Sequence, residues 1–173
     1  MLPSLADFPK FRDHISKEYI EDIYLSSILH DIEKVGIPDS ILLKPGRLTP
    51  DEFNIIKKHC KYGGDVLKSV ELKITGKSFL TMEREIAYFH HEKWNGSGYP
   101  DALKKSQISL CARIISVSDV YDALTSKRIY KGAYSHETAV DIIQSEYGQH
   151  FDPDIVDAFL AGAEKFNRIR KQF

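Results

Sequence analysis

The sequence has little of what marks secreted, membrane or nucleic-acid-binding proteins. It has only 2 cysteines in 173 residues, which excludes a disulfide framework or a cysteine-based zinc knuckle and favours a reducing compartment. No apolar run is long enough for a signal peptide or a membrane span. Lysine plus arginine (24) nearly balance aspartate plus glutamate (25), so nothing favours general attraction to DNA or anionic lipid. We therefore expect a cytoplasmic protein that binds any anion through a local cluster.

Alternating patterns typical of β-strands are also missing, whereas helix-start signals recur along the chain. Thr49-Pro50-Asp51-Glu52 combines a hydroxyl N-cap, a proline at the first helical position and a capping-box glutamate. Ser135 is also typical of an N-cap, and Asp152-Pro153 predicts the start of the last helix. Because the length suits one domain, the sequence predicts an all-α fold, a single-domain helical bundle over residues 1–173.

Glycine and proline mark the interruptions of this helical pattern. The segment 34–47 carries two of each residue type and predicts a loop. Residues 93–107 include Asn95-Gly96-Ser97-Gly98-Tyr99-Pro100, which predicts an ordered functional loop. The helix that begins near Thr49 is predicted to carry Phe53, Ile56, Cys60, Leu67 and Val70, and the pair Gly63-Gly64 is a candidate interruption that the sequence leaves open.

Several polar side chains occupy helix positions where apolar ones belong. They are His30, Asp31, His59, His90, His91 and Asp119. An unpaired carboxylate in such a place costs several kcal/mol or shifts its pKa until it is neutral. If these imidazoles and carboxylates converge, a divalent metal would stabilise them together.

Each of these residues also has an ordinary interpretation. A lone histidine such as His59 is more often a hydrogen-bonded core residue. Asp119 has Arg113 and Lys127 as alternative partners. The remaining histidines lie near a chain end, beside a cap and in a loop, and we expect them to be exposed or structural: His14, His136 and His150.

The ordered set of motifs decides between these interpretations. It consists of His30-Asp31-Ile32-Glu33-Lys34-Val35-Gly36-Ile37-Pro38, His59, His90-His91-Glu92, Gly98-Tyr99-Pro100, Asp119-Val120-Tyr121-Asp122-Ala123-Leu124-Thr125-Ser126 and His150-Phe151-Asp152-Pro153. This set resembles the HD-GYP family, bacterial cyclic di-GMP phosphodiesterases within the HD superfamily of metal-dependent phosphohydrolases. The resemblance runs from about Ile20 to Leu160 and implies an HD-type bundle with an ordered GYP loop.

The resemblance implies a role for each matching residue. The metal ligands would be His30, Asp31, His59, His90, His91 and Asp119, with Asp31 bridging two ions. Catalysis at the scissile phosphate would use Lys34 and Asp31. The substrate would contact Gly98, Tyr99, Arg128 and Lys131, although without the motif the last two would read as a solvated basic loop. Imidazole and carboxylate donors, with no thiolate among them, suit two divalent ions, with Fe first and Mn, Ni or Zn as alternatives, rather than Ca or Mg.

The implied function is hydrolysis of cyclic di-GMP to linear pGpG, with further cleavage to GMP left open. The resemblance also implies a regulatory domain upstream and GGDEF-type or other protein partners. Neither DNA binding nor membrane insertion is expected, and oligomeric state is not indicated.

Two departures from the family pattern support other functions. The family carries an earlier helix with a glutamate and a histidine, and here those positions would precede Met1, so we expect a domain lacking the family's first helix. Glu33 stands where the family has glycine. A degenerate module that senses a cyclic dinucleotide or docks a protein without turnover is therefore the alternative. Another nucleotide hydrolase of the superfamily is a third, but such an enzyme has no need of the Gly98-Tyr99-Pro100 loop.

Overall fold

The computed structural model describes residues 5, 10–27, 32–73, 79–127 and 132–172. Within these ranges the regular structure is helical, without β-strands, which confirms the all-α fold. The elements in chain order are α1 (Lys17–Ser27), a 3-10 helix (Ile32–Gly36), α2 (Asp39–Leu42), α3 (Pro50–Glu71), α4 (Leu80–Phe89), a second 3-10 helix (Lys105–Gln107), α5 (Leu110–Thr125), α6 (His136–Ser145), α7 (Pro153–Ala161) and α8 (Ala163–Arg170).

Capping side chains explain where three of these helices begin. Thr49 accepts the Glu52 backbone N–H at 3.2 Å, and the Glu52 carboxylate accepts the Thr49 backbone N–H at 2.7 Å. Ser135 and Asp152 each accept a backbone N–H of the first turn at 3.1 Å. Each such cap stabilises its helix by about 1 kcal/mol. The helix starts at α3, α6 and α7 are therefore confirmed.

The core is centred on α5, which packs against α4, α6 and α7. Its buried apolar residues are Cys111, Ala112, Ile114, Ile115, Val117 and Tyr121. Facing them are Ile86, Ile143, Ile155 and Phe159, all fully buried. Full burial of a side chain of this size contributes about 1.5–3 kcal/mol. Of the helices in the described ranges, none is both long and apolar enough to cross a bilayer.

The helix that begins near Thr49 is continuous through the candidate interruption at Gly63-Gly64, because both residues are on the face that packs against α4. Two other local expectations differ from the structure. The segment 34–47 contains α2, which follows Pro38 and has an acidic residue in its first turn. The chain after Asp152 forms two helices rather than one, separated at Gly162.

Candidate metal centre

The centre begins on α3, whose buried face carries His59, Cys60, Gly63 and Gly64. The capping box sets the first turn of a helix that is 22 residues long in total. A Cβ added at Gly64 would stand 2.2 Å from the Tyr88 ring of α4. Glycine therefore allows α3 to approach α4 closely enough for residues of both helices to meet.

The second part of the centre is the C-terminal end of α4. This helix ends at Phe89, His90 is its C-cap and His91 follows. The two adjacent imidazoles lie side by side, with ring centroids 4.0 Å apart. The His59 ring is 5.6 Å from that of His90 and 5.2 Å from that of His91. Two packed helices thus bring three imidazoles together.

A cysteine joins these imidazoles in one compact cluster. One nitrogen or sulfur atom from each of His59, Cys60, His90 and His91 lies within 4.8 Å of all the others. His59 and Cys60 are fully buried, His90 is 2% exposed and His91 is half-buried. Converging nitrogen and sulfur donors are typical of sites for Zn²⁺ or a similar divalent ion. We call these four residues the ligand cluster.

Hydrogen bonds to the backbone fix the tautomers of two of the imidazoles. Nδ1 of His59 is 2.6 Å from the Ile56 carbonyl oxygen, and Nδ1 of His90 is 2.8 Å from the Ile86 carbonyl oxygen. Because a carbonyl oxygen only accepts, each Nδ1 carries the proton and donates it. The lone pair of each ring is therefore on Nε2, and a backbone carbonyl behind the ring is the usual support of a metal-binding histidine. The donor set fits a divalent metal.

His91 is held in the neutral form that a metal requires. Burial, followed by the charges of His90 and His59, lowers the pKa of His91 to about 2. Lys34 acts in the same direction, and Asp119 acts in the opposite one. A neutral imidazole binds metal without first releasing a proton. The charges of Lys34 and Asp119 therefore act on the ligand cluster.

Asp119 lies half-buried on α5. Its charge acts to raise the pKa of both His91 and His150. Burial nevertheless lowers the pKa of His150 to about 4. Arg113, one of the alternative partners of Asp119, forms a largely buried ion pair with Asp152 instead.

The loop after the histidine pair is fixed by a buried carboxylate. Glu92 is 2% exposed, and its carboxylate accepts the backbone N–H groups of Asp101 at 2.7 Å and Leu103 at 3.1 Å. Gly98 packs directly on the backbone, because a Cβ there would stand 2.3 Å from the Lys93 nitrogen. The loop is therefore ordered against the segment that follows the ligand cluster.

Aromatic rings line the outer side of the cluster. The Tyr99 ring lies 4.9 Å from the His91 ring and meets the half-exposed Phe53 ring edge-on at 6.1 Å. Nζ of Lys57 is 5.2 Å from the Phe53 ring and 6.0 Å from the Tyr99 ring. A cation beside two aromatic rings favours a ligand with a flat base and negative charge.

The residues predicted from the sequence fall into two groups. Those within the described ranges are Lys34, His59, His90, His91, Gly98, Tyr99 and Asp119. Those outside the described ranges are His30, Asp31, Arg128 and Lys131. The structure brings the three described histidines together and places Lys34, Asp119 and Tyr99 near them.

Sequence reasoning missed Cys60. Neighbouring residues on a helix point about 100° apart. The apolar face on which His59 stands out as a polar residue therefore does not include the residue that follows it. The sequence feature that could have identified Cys60 is its position directly after a histidine that was itself a predicted metal ligand.

The other three histidines differ in their surroundings. His14 is exposed. His136 is buried, with Nδ1 2.9 Å from the Tyr121 hydroxyl, and this contact explains its place in the core. His150 is half-buried and stacks on Phe151.

The sequence model of the HD domain family matches residues 11–155. The chain is 49% identical over 98% of its length to a cyclic di-GMP phosphodiesterase of Vibrio cholerae, of which it covers 34%. It is 41% identical over 84% of its length to a 3'3'-cGAMP-specific phosphodiesterase of the same organism, of which it covers 27%. The chain thus spans about a third or less of the length of these two relatives.

A solved structure shows the same fold. It is a cyclic GMP-AMP specific phosphodiesterase of Vibrio cholerae, with a TM-score of 0.61 and 19% sequence identity. The similarity covers 96% of this chain and 42% of the other. At this identity the likeness concerns the helical architecture alone.

Proposed function

The chain belongs to the HD domain family and, within it, to the HD-GYP group, and on that basis we propose that it is a metal-dependent phosphodiesterase that opens cyclic di-GMP to linear pGpG. The observation that carries the proposal is the convergence of three imidazoles, two of which present Nε2 lone pairs. A relative that is 49% identical to this chain is a cyclic di-GMP phosphodiesterase, which supports the proposed substrate. The chain covers only 34% of that relative. The activity is therefore proposed, and not established, for any longer protein of which this chain is a part.

The family binds divalent metal, and we propose how this chain holds it. His59, His90 and His91 would hold one ion, and Asp119 together with His30 and Asp31 would hold a second. Iron is the proposed metal, with Mn, Ni and Zn as alternatives for this set of donors. A bound ion supplies Lewis acidity, which makes water nucleophilic at neutral pH and offsets phosphoryl charge.

Lys34 is the proposed source of positive charge at the reacting phosphate. Its charge acts on the His91 ring, so it lies near the ligand cluster, on the short 3-10 helix that packs against α3. An ammonium in this place stabilises negative charge that grows on the phosphoryl oxygens or on the departing alkoxide.

The rings of Tyr99 and Phe53, with Lys57 beside them, form the proposed surface for a guanine base and its phosphate. Gly98 fixes the position of Tyr99, because the loop backbone packs against the segment after the histidine pair. Stacking of a base on an aromatic ring contributes about 1–3 kcal/mol. Arg128 and Lys131 remain proposed phosphate contacts from the segment after α5.

The wider setting is also a proposal. The greater length of the relatives supports a regulatory domain elsewhere in the natural protein, and a GGDEF-type partner would suit a cyclic di-GMP enzyme. The two cysteines, neither of which forms a disulfide, suit a reducing compartment, so we propose a cytoplasmic location.

Hydrolysis of cyclic di-GMP by the purified chain, loaded with Fe(II) or Mn(II) under anaerobic conditions, tests the proposal. We expect pGpG by chromatography and a loss of about 100-fold or more in kcat in Lys34→Ala. Lys68→Ala, on the exposed end of α3, is the charge-matched control and should keep the wild-type rate. An intact cyclic substrate after hours, with metal bound to the protein, would contradict the proposal.

A second substrate deserves the same assay, because a relative 41% identical to this chain is specific for 3'3'-cGAMP. The two cyclic dinucleotides should be offered separately and in competition. A higher kcat/KM for 3'3'-cGAMP would reassign the substrate and leave the hydrolase mechanism in place. Tight binding of either dinucleotide without turnover would instead support the sensing or docking module.

A further inference from the structure

Cys60 lies inside the ligand cluster rather than beside it. It follows His59 on the buried face of α3 and is fully buried. Its Sγ is 3.5 Å from Nε2 of His59, the ring nitrogen that carries the lone pair. Sγ also lies within 4.8 Å of one ring nitrogen of each of the other two histidines.

The other cysteine shows what a purely structural thiol looks like in this protein. Cys111 lies on α5, and its Sγ–H points to the Ser109 hydroxyl at 3.4 Å. Burial raises the pKa of Cys111 to about 11, as expected for a thiol in apolar surroundings. Both cysteines are buried, so burial does not distinguish them. The difference is that Cys60 faces three imidazoles.

We infer that Cys60 is a metal ligand, and that its sulfur completes a four-donor set with the imidazoles of His59, His90 and His91. This inference rests on the metal centre proposed above and adds a thiolate to it. On metal binding the S–H bond breaks, the sulfur keeps the electron pair and donates it to the ion, and the proton passes to solvent. Sulfur and imidazole nitrogen are donors that a divalent ion such as Zn²⁺ takes in proteins, and an ion that expands to five ligands keeps a position for water beside these four donors.

A thiolate ligand changes which metals the site prefers. Sulfur is a soft donor, and it favours zinc, cobalt and ferrous iron over manganese and magnesium. A site made of the three imidazoles without sulfur lacks this preference for the softer metals. Cys60 therefore makes the centre more selective against the harder ions than histidines alone would.

Cobalt is the probe that reports sulfur coordination directly. We expect the full chain loaded with Co(II) to show a thiolate-to-cobalt charge-transfer band in the near ultraviolet, in addition to its visible bands. Cys60→Ser should remove the charge-transfer band, keep the visible bands of bound cobalt and weaken zinc affinity by about tenfold or more. Cys111→Ser is the matched control and should keep the charge-transfer band.

A second measurement needs no substitution. We expect saturating zinc to slow alkylation of Cys60 by iodoacetamide, relative to protein treated with chelator, and to leave the rate at Cys111 unchanged, with both sites read by mass spectrometry. Bound cobalt without a charge-transfer band, a band that survives Cys60→Ser, or an equal effect of zinc on both cysteines would overturn the role of Cys60 alone. Failure of the wild-type chain to bind cobalt or zinc would overturn the metal centre with it.

Discussion

At the residue scale, position 98 requires glycine because two backbone segments approach each other closely there. A Cβ there would stand 2.3 Å from the Lys93 nitrogen and 2.5 Å from Cα of Glu92. Neither atom moves without shifting the segment that follows the histidine pair. We expect Gly98→Ala to lower the free energy of unfolding by about 1–3 kcal/mol, as measured by urea denaturation. Gly132→Ala is the control, because a Cβ there meets no heavy atom within 4 Å. Equal losses in the two variants would contradict this explanation.

His150 makes stability depend on pH. Burial, and then the charge of Lys93, lowers the pKa of His150 from 6.5 to about 4, with Asp119 acting in the opposite direction. The unfolded chain therefore gains a proton near pH 6.5, before the folded protein does, and folding loses stability as the pH falls from there towards 4. The loss attributable to this residue is at most about 1.4 kcal/mol per pH unit. We expect His150→Gln to reduce the dependence of the free energy of unfolding on pH in chelator-treated protein. Parallel curves of this free energy against pH for the wild-type chain and the variant would contradict the role of His150.

The site was predictable from sequence where a polar residue interrupts an apolar stripe. His59 and His90 were selected in this way, and the motif added His91. Cys60 was not selected, because a buried cysteine is an ordinary core residue and only its distance to the histidines marks it. Lys34 was predicted from the family resemblance alone. Its charge acts on His91, which lies on a different element, and the sequence does not show that these two elements lie close together.

At the element scale, the contact between α3 and α4 controls the ligand cluster. The Tyr88 ring occupies the space of a Gly64 side chain, with a Cβ distance of 2.2 Å. Helix propensity alone predicts that Gly64→Ala stabilises the protein by about 1 kcal/mol. We expect the opposite sign in urea denaturation, together with weaker zinc affinity, because the two helices must separate and they carry different ligands.

A double-variant cycle isolates this cause. In the Gly64→Ala, Tyr88→Ala double variant the ring is absent, so the alanine methyl has space and zinc affinity should recover relative to Gly64→Ala alone. Tyr88→Ala alone reports the loss of the ring and of its 2.6 Å hydrogen bond to Asp65. Additive effects of the two substitutions would show that the ring does not limit the helix distance.

Helix starts were predictable because capping is local chemistry, as at Thr49, Ser135 and Asp152. The sequence left open whether α3 is interrupted at Gly63-Gly64, because the packing of α4 that offsets the low helix propensity of glycine is not local chemistry. The short helix α2 was missed for a related reason: the glycine and proline content of 34–47 marks turns without excluding one helical turn between them.

At the scale of the whole molecule, the all-α HD-type fold was predictable and the complete ligand set was not. The motif spacing determined the family, and helix packing explains how distant histidines meet. The second ion, which depends on His30 and Asp31, and the single-domain extent over residues 1–173 remain predictions. The chain covers 34% of a relative with which it shares 49% identity, and a regulatory domain outside this bundle remains a proposal.

The metal content of the purified chain tests the metal centre most directly. Protein prepared without chelator should be analysed by elemental mass spectrometry beside His59→Gln, which removes one imidazole from the cluster. We expect stoichiometric divalent metal in the wild-type chain and a large loss in the variant, with both proteins folded by circular dichroism. A wild-type chain without metal after exposure to Fe(II), Mn(II) and Zn(II), or a variant that retains the same amount, would contradict the proposed centre.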